Sequence, residues 1–79
     1  MTRIILYTTA GCHLCELAKE LLLQAKQQIP LTIIDIEIGD DDELVAKYGT
    51  TIPVVEFADS RQLNWPFTLD DILSQISNQ

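Results

Sequence analysis

Basic residues are scarce in this sequence, and their scarcity argues against one class of partner. The 79 residues include five Lys and Arg against twelve Asp and Glu, a formal net charge of −7. Because the backbones of DNA and RNA are anionic, a chain with this balance repels them, and we expect no nucleic-acid partner. The densest acidic run, residues 40–43, is interpreted as an acidic helix N-terminus, with a docking patch or a cation site as alternatives.

Long apolar stretches are also missing. No run approaches the roughly 18 apolar residues typical of a membrane span. The stretch Ile4-Ile5-Leu6-Tyr7 is too short for the apolar region of a secretory signal. A chain of this length fits one domain, which buries only about 60% of the surface that its unfolded form exposes. We therefore expect a single domain over residues 1–79, located in the cytoplasm, with no membrane partner.

Cysteine is limited to Cys12 and Cys15, and histidine to His13. In a cytosol that keeps thiols reduced, two cysteines separated by two residues favour redox or metal chemistry over a structural disulfide. Zinc and iron–sulfur sites usually need four ligands, more than one cysteine pair and one imidazole supply. We expect no metal site within one chain; the alternative is an ion or cluster shared across a dimer.

The first half of the chain predicts a strand, a helix and a second strand. Residues 3–8 form a short, apolar, β-branched run typical of a strand covered on both faces. Residues 12–28 have helical spacing, Pro30 ends that pattern, and residues 31–38 alternate as a second strand. The predicted apolar face of the helix consists of Leu14, Leu17, Ala18, Leu21 and Ala25. This order requires parallel strands with a right-handed crossover, so the predicted class is α/β.

A short helix is predicted next. Gly39 ends the second strand, an aspartate among residues 40–42 caps the helix, and Gly49 stops it. The predicted apolar side of this helix consists of Leu44, Val45 and Tyr48.

The last third predicts a hairpin and a final helix. The hairpin pairs a strand over residues 50–58 with a weaker strand over residues 62–64. Thr68 and Asp71 resemble a capping pair ahead of a helix over residues 69–78. The intervening Trp65-Pro66-Phe67 stretch either caps a small core or, if exposed, forms a docking surface.

The chemistry is predicted at Gly11-Cys12-His13-Leu14-Cys15, where the first strand turns into the first helix. Backbone N–H groups at a helix N-terminus lack partners and can stabilise a thiolate, so Cys12 is the predicted nucleophile and Cys15, one turn inside, the resolving partner. The helix dipole supplies about 0.3 to 1 kcal/mol, whereas one pKa unit requires about 1.36 kcal/mol. Glu16 and the net charge oppose the effect, so we predict only a moderate lowering of the Cys12 pKa.

Two neighbours of the cysteines have competing interpretations. His13, when protonated, could stabilise the thiolate or help proton transfer between the sulfurs, or it could be a solvated residue of the first helical turn. Leu14 is expected in the core or at the rim of the site. The possible modulators of the dithiol are its neighbours Gly11 and His13.

Three features point to a known family: this order of elements, the Cys-x-x-Cys helix, and Thr51-Ile52-Pro53 at the hairpin. In these features the sequence resembles the glutaredoxins of the thioredoxin superfamily, especially small bacterial glutaredoxin-like proteins. The resemblance implies a thioredoxin-like β-α-β-α-β-β-α fold with a four-stranded mixed sheet and helices on both faces. It also implies that Cys12 attacks, that Cys15 resolves, and that Thr51, Ile52 and Pro53 bind substrate. Pro53 is then cis, with the Ile52 N–H and C=O pairing with an extended peptide or glutathione.

The sequence departs from the glutaredoxin pattern at three places. His13 and Leu14 stand between the cysteines where Pro and Tyr are frequent, so a redox potential cannot be carried over. Thr9 stands where many glutaredoxins have a lysine that meets glutathione, and residues 64–68 replace a Gly-Gly turn and the aspartate that follows it.

The function expected from residues and resemblance together is thiol-disulfide exchange on protein or glutathione mixed disulfides, without an organic cofactor. The reducing partner would be glutathione or a thioredoxin-type system. The alternative is a non-catalytic thioredoxin-like adaptor or a redox sensor.

Overall fold

A four-stranded mixed sheet and three α-helices make up residues 2–77, the part of the chain described by the structure, a computed structural model. The elements in chain order are β1 (Thr2–Thr8), α1 (His13–Gln28), β2 (Leu31–Glu37), α2 (Asp42–Tyr48), β3 (Val54–Glu56), β4 (Gln62–Asn64) and α3 (Leu69–Ser77). A 3-10 turn, Ile38–Asp40, joins β2 to α2. Residue 78, the predicted end of the last helix, lies outside the described residues. Within residues 2–77, the helices are too short or too polar to cross a membrane.

The strand order is β2-β1-β3-β4, with β1 in the interior of the sheet. β1 and β2 are parallel, from Thr2 opposite Leu31 to Thr8 opposite Glu37. β3 is antiparallel to both β1 and β4. These pairings confirm the predicted α/β class, the parallel first two strands and the thioredoxin-like topology.

β3 is shorter than the predicted strand over residues 50–58. The backbone N–H groups of Thr51 and Ile52 both donate to the carbonyl of Tyr48, at 2.9 and 3.0 Å, and close the end of α2. Pro53 has no N–H to offer. Since no donor from these three residues is available to a neighbouring strand, the ladder begins only at Val54.

Helices α1 and α3 cover one face of the sheet. Their buried side chains pack on alternate residues of β1 and on β3; the set includes Ile4, Leu6, Ala18, Leu22, Ala25, Val55, Ile72 and Ile76. The predicted α1 face was wrong at its first residue, because Leu14 is 44% exposed while Leu22 is fully buried. Cys15 is the first residue of α1 that faces the sheet. Residues three and four positions apart share one face of a helix, so the buried residues after it are Ala18, Leu22 and Ala25.

Helix α2 covers the opposite face, so helices lie on both sides of the sheet as expected. Tyr7, Ile38, Tyr48 and Val54 form a second buried cluster there. The rings of Tyr7 and Tyr48 stack with 4.4 Å between their centroids. Ile38, predicted as the last strand residue, belongs to the 3-10 turn but is still buried. Val45 was wrongly placed on the apolar side of α2, since it is exposed.

Side-chain caps set the starts of α2 and α3. Asp41 caps α2, its Oδ1 accepting from the N–H groups of Glu43 and Leu44 at 2.9 and 3.2 Å. Before α3, the Asp71 N–H donates to Thr68 Oγ1 at 3.1 Å, and the Thr68 N–H donates to Asp71 Oδ2 at 2.9 Å. The reciprocal pair is a capping box, which confirms the predicted start of the last helix.

The aromatic residues after β4 belong to the core. Phe67 is buried, Trp65 packs against the same cluster, and the two rings meet edge to face with centroids 5.2 Å apart. The intervening Trp65–Pro66 peptide bond is cis. Of the two interpretations of this stretch, the core cap is the one that the structure supports.

Candidate redox site

A tight turn between β1 and α1 carries Cys12. The Cys12 N–H donates to the carbonyl of Thr9 at 3.3 Å, and the Cys12 carbonyl accepts from the Glu16 N–H at 3.2 Å. Gly11 has a φ of +79°, a conformation that L residues with a side chain rarely adopt, although a Cβ there would contact nothing within 4 Å. Gly11 is therefore required for backbone conformation rather than for space, and it turns the chain so that Cys12 becomes the N-cap of α1.

The two sulfurs lie in disulfide contact, with 5.2 Å between their Cα atoms. Cys12 is half-buried at the end of the helix, whereas Cys15, one turn inside, is only 2% exposed. An incoming molecule reaches Cys12 far more readily than Cys15. This asymmetry matches the roles predicted from position, nucleophile for Cys12 and resolving partner for Cys15, which stay predictions.

The helix start also provides the thiolate with a donor. The backbone N–H of Cys15 points at the Sγ of Cys12 at 3.1 Å, in the manner of an N-cap hydrogen bond. Such a bond, added to the helix dipole, favours the charged form of Cys12, while the neighbouring Glu16 carboxylate disfavours it. The moderate lowering of the Cys12 pKa stays a prediction.

His13 and Leu14 both face outward. The Nδ1 atom of His13 lies 3.7 Å from Oε2 of Glu16, and both side chains are largely exposed. The imidazole is thus placed beside a carboxylate in solvent, and its influence on the thiolate stays a prediction. Leu14 is exposed and does not belong to the core.

The Thr51-Ile52-Pro53 segment lies at the same edge of the sheet as the cysteines. Tyr7 pairs with Val54, and continuing this register places Pro53 beside Thr8, next to the Cys12 turn. The Ile52–Pro53 peptide bond is cis. The expectation that the Ile52 N–H pairs with a substrate was wrong, because that N–H donates to the Tyr48 carbonyl. The Ile52 carbonyl remains the candidate group.

Glu37 is a site residue that the sequence interpretation missed. Its Oε2 accepts from the Gly39 N–H and its Oε1 from the Ala10 N–H, each at 2.8 Å. Hydrogen bonds from Gly39, from the Thr9 side chain and from Ala10 lower the pKa of Glu37 below its usual value of 4.5. Glu37 thereby ties the turn before Cys12 to the end of β2. The parallel pairing, which sets Thr8 opposite Glu37, is the signal that could have found it.

A cavity of about 300 Å³ opens beside the dithiol, on the β2 side of β1. It is lined by both cysteines, the backbone turn of residues 8–11, Leu6, Glu16, Lys19 and Asp35. Lys19 Nζ, from α1, lies 2.7 Å from Asp35 Oδ2, from β2. Among residues 2–77, no group of three or more His, Cys, Asp and Glu side chains is arranged to hold a metal ion.

Comparison with known families agrees with this architecture. The sequence matches the glutaredoxin-like domain family (DUF836) over residues 3–77, nearly the whole chain. The chain belongs to the glutaredoxin-like family. Among curated proteins, none matches the glutaredoxin-like chain.

Solved structures extend the comparison to the fold. Protein XcR50 from X. campestris is 32% identical to the glutaredoxin-like chain, with a TM-score of 0.86 over 96% of this chain and 97% of that one. Protein Ne2328 from Nitrosomonas europaea is 22% identical, with a TM-score of 0.80 over 94% and 89% of the two chains. Oxidized thioredoxin O2 from Arabidopsis thaliana is 17% identical, with a TM-score of 0.69 over 99% and 74%. The last two similarities establish the thioredoxin-like fold alone.

Proposed function

We propose that this protein is a thiol-disulfide oxidoreductase that acts through the Cys12/Cys15 dithiol. One observation carries the proposal: an accessible, N-capping Cys12 sulfur lies in disulfide contact with a buried Cys15 and accepts the Cys15 N–H. An accessible nucleophile beside a sheltered second thiol is the arrangement that dithiol exchange requires.

The reaction proceeds through two exchanges. The Cys12 thiolate attacks one sulfur of a substrate disulfide, forming a mixed disulfide and releasing the other substrate sulfur as a thiolate that takes up a proton. Cys15 then loses its proton, attacks Cys12 Sγ and releases the second substrate sulfur, which is protonated in turn. The substrate gains two electrons and two protons, and the dithiol becomes an intramolecular disulfide.

The oxidised pair must be reduced again before another turnover. We propose glutathione or a thioredoxin-type dithiol as the electron donor, in a reducing compartment such as the cytosol. The protein itself supplies the reacting groups, since exchange between sulfurs needs no bound cofactor. Under oxidising conditions the same steps run in reverse, and the reduction potential sets the direction.

The deciding experiment is the equilibrium reduction potential of the pair. The protein is equilibrated in defined glutathione and dithiothreitol mixtures, and free thiols are alkylated and counted by mass. We expect a reversible intrachain disulfide with a potential between about −270 and −180 mV, the interval that contains thioredoxin, the glutaredoxins and protein disulfide isomerase. If no intrachain disulfide forms in any of these redox mixtures, the oxidoreductase proposal fails.

A further inference from the structure

The dithiol is flanked by different surfaces on its two sides. Pro53 lies on the β3 side of β1, and the cavity lined by Glu16, Lys19 and Asp35 lies on the β2 side. When a substrate disulfide reacts with Cys12, the residues next to the substrate cysteine contact these surfaces. Both cysteines line the cavity, and its volume of about 300 Å³ is large enough to receive a side chain that neighbours the substrate cysteine.

The charged side chains that line the cavity carry a net negative charge. The Lys19 ammonium and the Asp35 carboxylate are 2.7 Å apart and neutralise each other. The Glu16 carboxylate is then the charge that this ion pair does not neutralise. The His13 imidazole lies 3.7 Å from it and is charged only when protonated. A cation that reaches the cavity from solvent therefore meets the exposed Glu16 carboxylate in the same lining as the two cysteines.

The surroundings of the cavity strengthen this charge. The carboxyl ends of β1 and β2 lie at the dithiol edge of the sheet. The acidic run 40–43 follows the end of β2, and the acidic pair 70–71 begins α3, which follows the end of β4 at the same edge. Three of the five basic residues lie at the opposite end, where β1 begins, α1 ends and β3 turns into β4; they are Arg3, Lys26 and Arg61.

We propose that the site selects protein disulfides flanked by basic residues, and that a Lys or Arg side chain beside the substrate cysteine enters the cavity and pairs with Glu16. This inference rests on the proposed exchange function and names its substrate class. Charge of one sign at a binding edge raises association rates by about 10- to 1,000-fold at low ionic strength. The preference therefore acts mainly on the rate of the first exchange, and salt weakens it.

The test uses three peptide disulfides that differ only in the residue beside each cysteine, which is Lys, Gln or Glu. The second-order rate constant of their reduction by the reduced protein is measured at about 0.01 M ionic strength, where charges act over ~30 Å, and at about 1 M, where they act over ~3 Å. We expect the Lys peptide to react about 10-fold or more faster than the Glu peptide at low salt, and the rates to converge at high salt.

Two variants with the same change in net charge locate the effect. Glu16→Gln removes the cavity carboxylate, whereas Glu20→Gln removes an exposed carboxylate one helical turn farther on that does not line the cavity. The readout is the ratio of Lys-peptide to Gln-peptide rates, in which any change in the nucleophilicity of Cys12 cancels. We expect this ratio to fall in Glu16→Gln and to stay unchanged in Glu20→Gln.

The possible failures are distinguishable. Equal rates for the three peptides overturn the substrate preference while exchange itself stands. A preference that survives Glu16→Gln overturns the assignment to the cavity. If the reduced protein reacts with none of the peptides, the exchange function fails, and the inference fails with it.

Discussion

The Glu37 carboxylate accepts a hydrogen bond from the backbone N–H of Ala10 at 2.8 Å, across 27 positions of sequence. The same carboxylate accepts from Gly39, so one side chain joins the turn before Cys12 to the loop after β2. The candidate nucleophile is therefore held by a contact that only the parallel pairing of β1 and β2 creates.

Glu37 should make the stability of the protein depend on pH. Its pKa in the folded state is lowered by the hydrogen bonds from Gly39, Thr9 and Ala10, so its contribution is present above the ordinary pKa and is lost as pH falls through the lowered value. We expect the free energy of unfolding, from urea denaturation, to fall more between pH 7 and about pH 3 in the wild type than in Glu37→Gln. Glu20→Gln serves as the matched control and should behave as the wild type. Equal pH dependence in all three proteins would contradict the prediction.

Replacing each cysteine separately should give different outcomes. Cys12→Ser removes the accessible sulfur and should abolish reduction of disulfide substrates. Cys15→Ser keeps that sulfur and removes the resolving thiol, so it should accumulate a mixed disulfide with the substrate, detectable by mass. Under the adaptor alternative, Cys12→Ser would leave partner binding intact. A Cys12→Ser protein with full exchange activity would rule out the assigned roles.

The Cys12 thiol should be only moderately acidic. We expect the Cys15 N–H and the helix dipole to lower its pKa from the ordinary value of about 8.5, and the Glu16 carboxylate and the net charge to oppose them. Thiolate absorbance measured against pH in Cys15→Ser, where a single thiol titrates, gives the value directly. A pKa below about 5, as in the most acidic Cys-x-x-Cys proteins, would show that a stronger interaction is at work.

Two adjacent leucines of α1 should differ sharply in their effect on stability. Leu22 is fully buried between helix and sheet, whereas Leu23 is 46% exposed. Leu22→Ala should lower the free energy of unfolding by about 2 to 5 kcal/mol, because it removes buried apolar surface and leaves a cavity. Leu23→Ala should cost less than about 1 kcal/mol. Urea denaturation of both variants measures the difference, and similar losses would mean that α1 is rotated from its observed orientation.

Local patterns in the sequence determined much of this protein. Alternation, helical spacing and breakers such as Pro30 predicted the strands and helices. The Thr68/Asp71 pair predicted the start of α3, because a capping box involves residues only three apart. The position of Cys12 at a helix N-terminus and of Cys15 one turn inside was equally local.

Only the tertiary structure decided which of several suitable groups meet. Leu22 and not Leu14 faces the sheet, since the inward position of Cys15 sets the rotation of α1. The Ile52 N–H donates to the Tyr48 carbonyl. This hydrogen bond depends on how α2 ends, which strand propensity does not predict. Glu37 reaches the Cys12 turn, and Lys19 pairs with Asp35 beside the sulfurs, because the crossover brings β1, α1 and β2 side by side. Hydrogen-bond and spacing patterns act over a few residues, whereas the environment of the dithiol is assembled from segments that lie far apart in the chain.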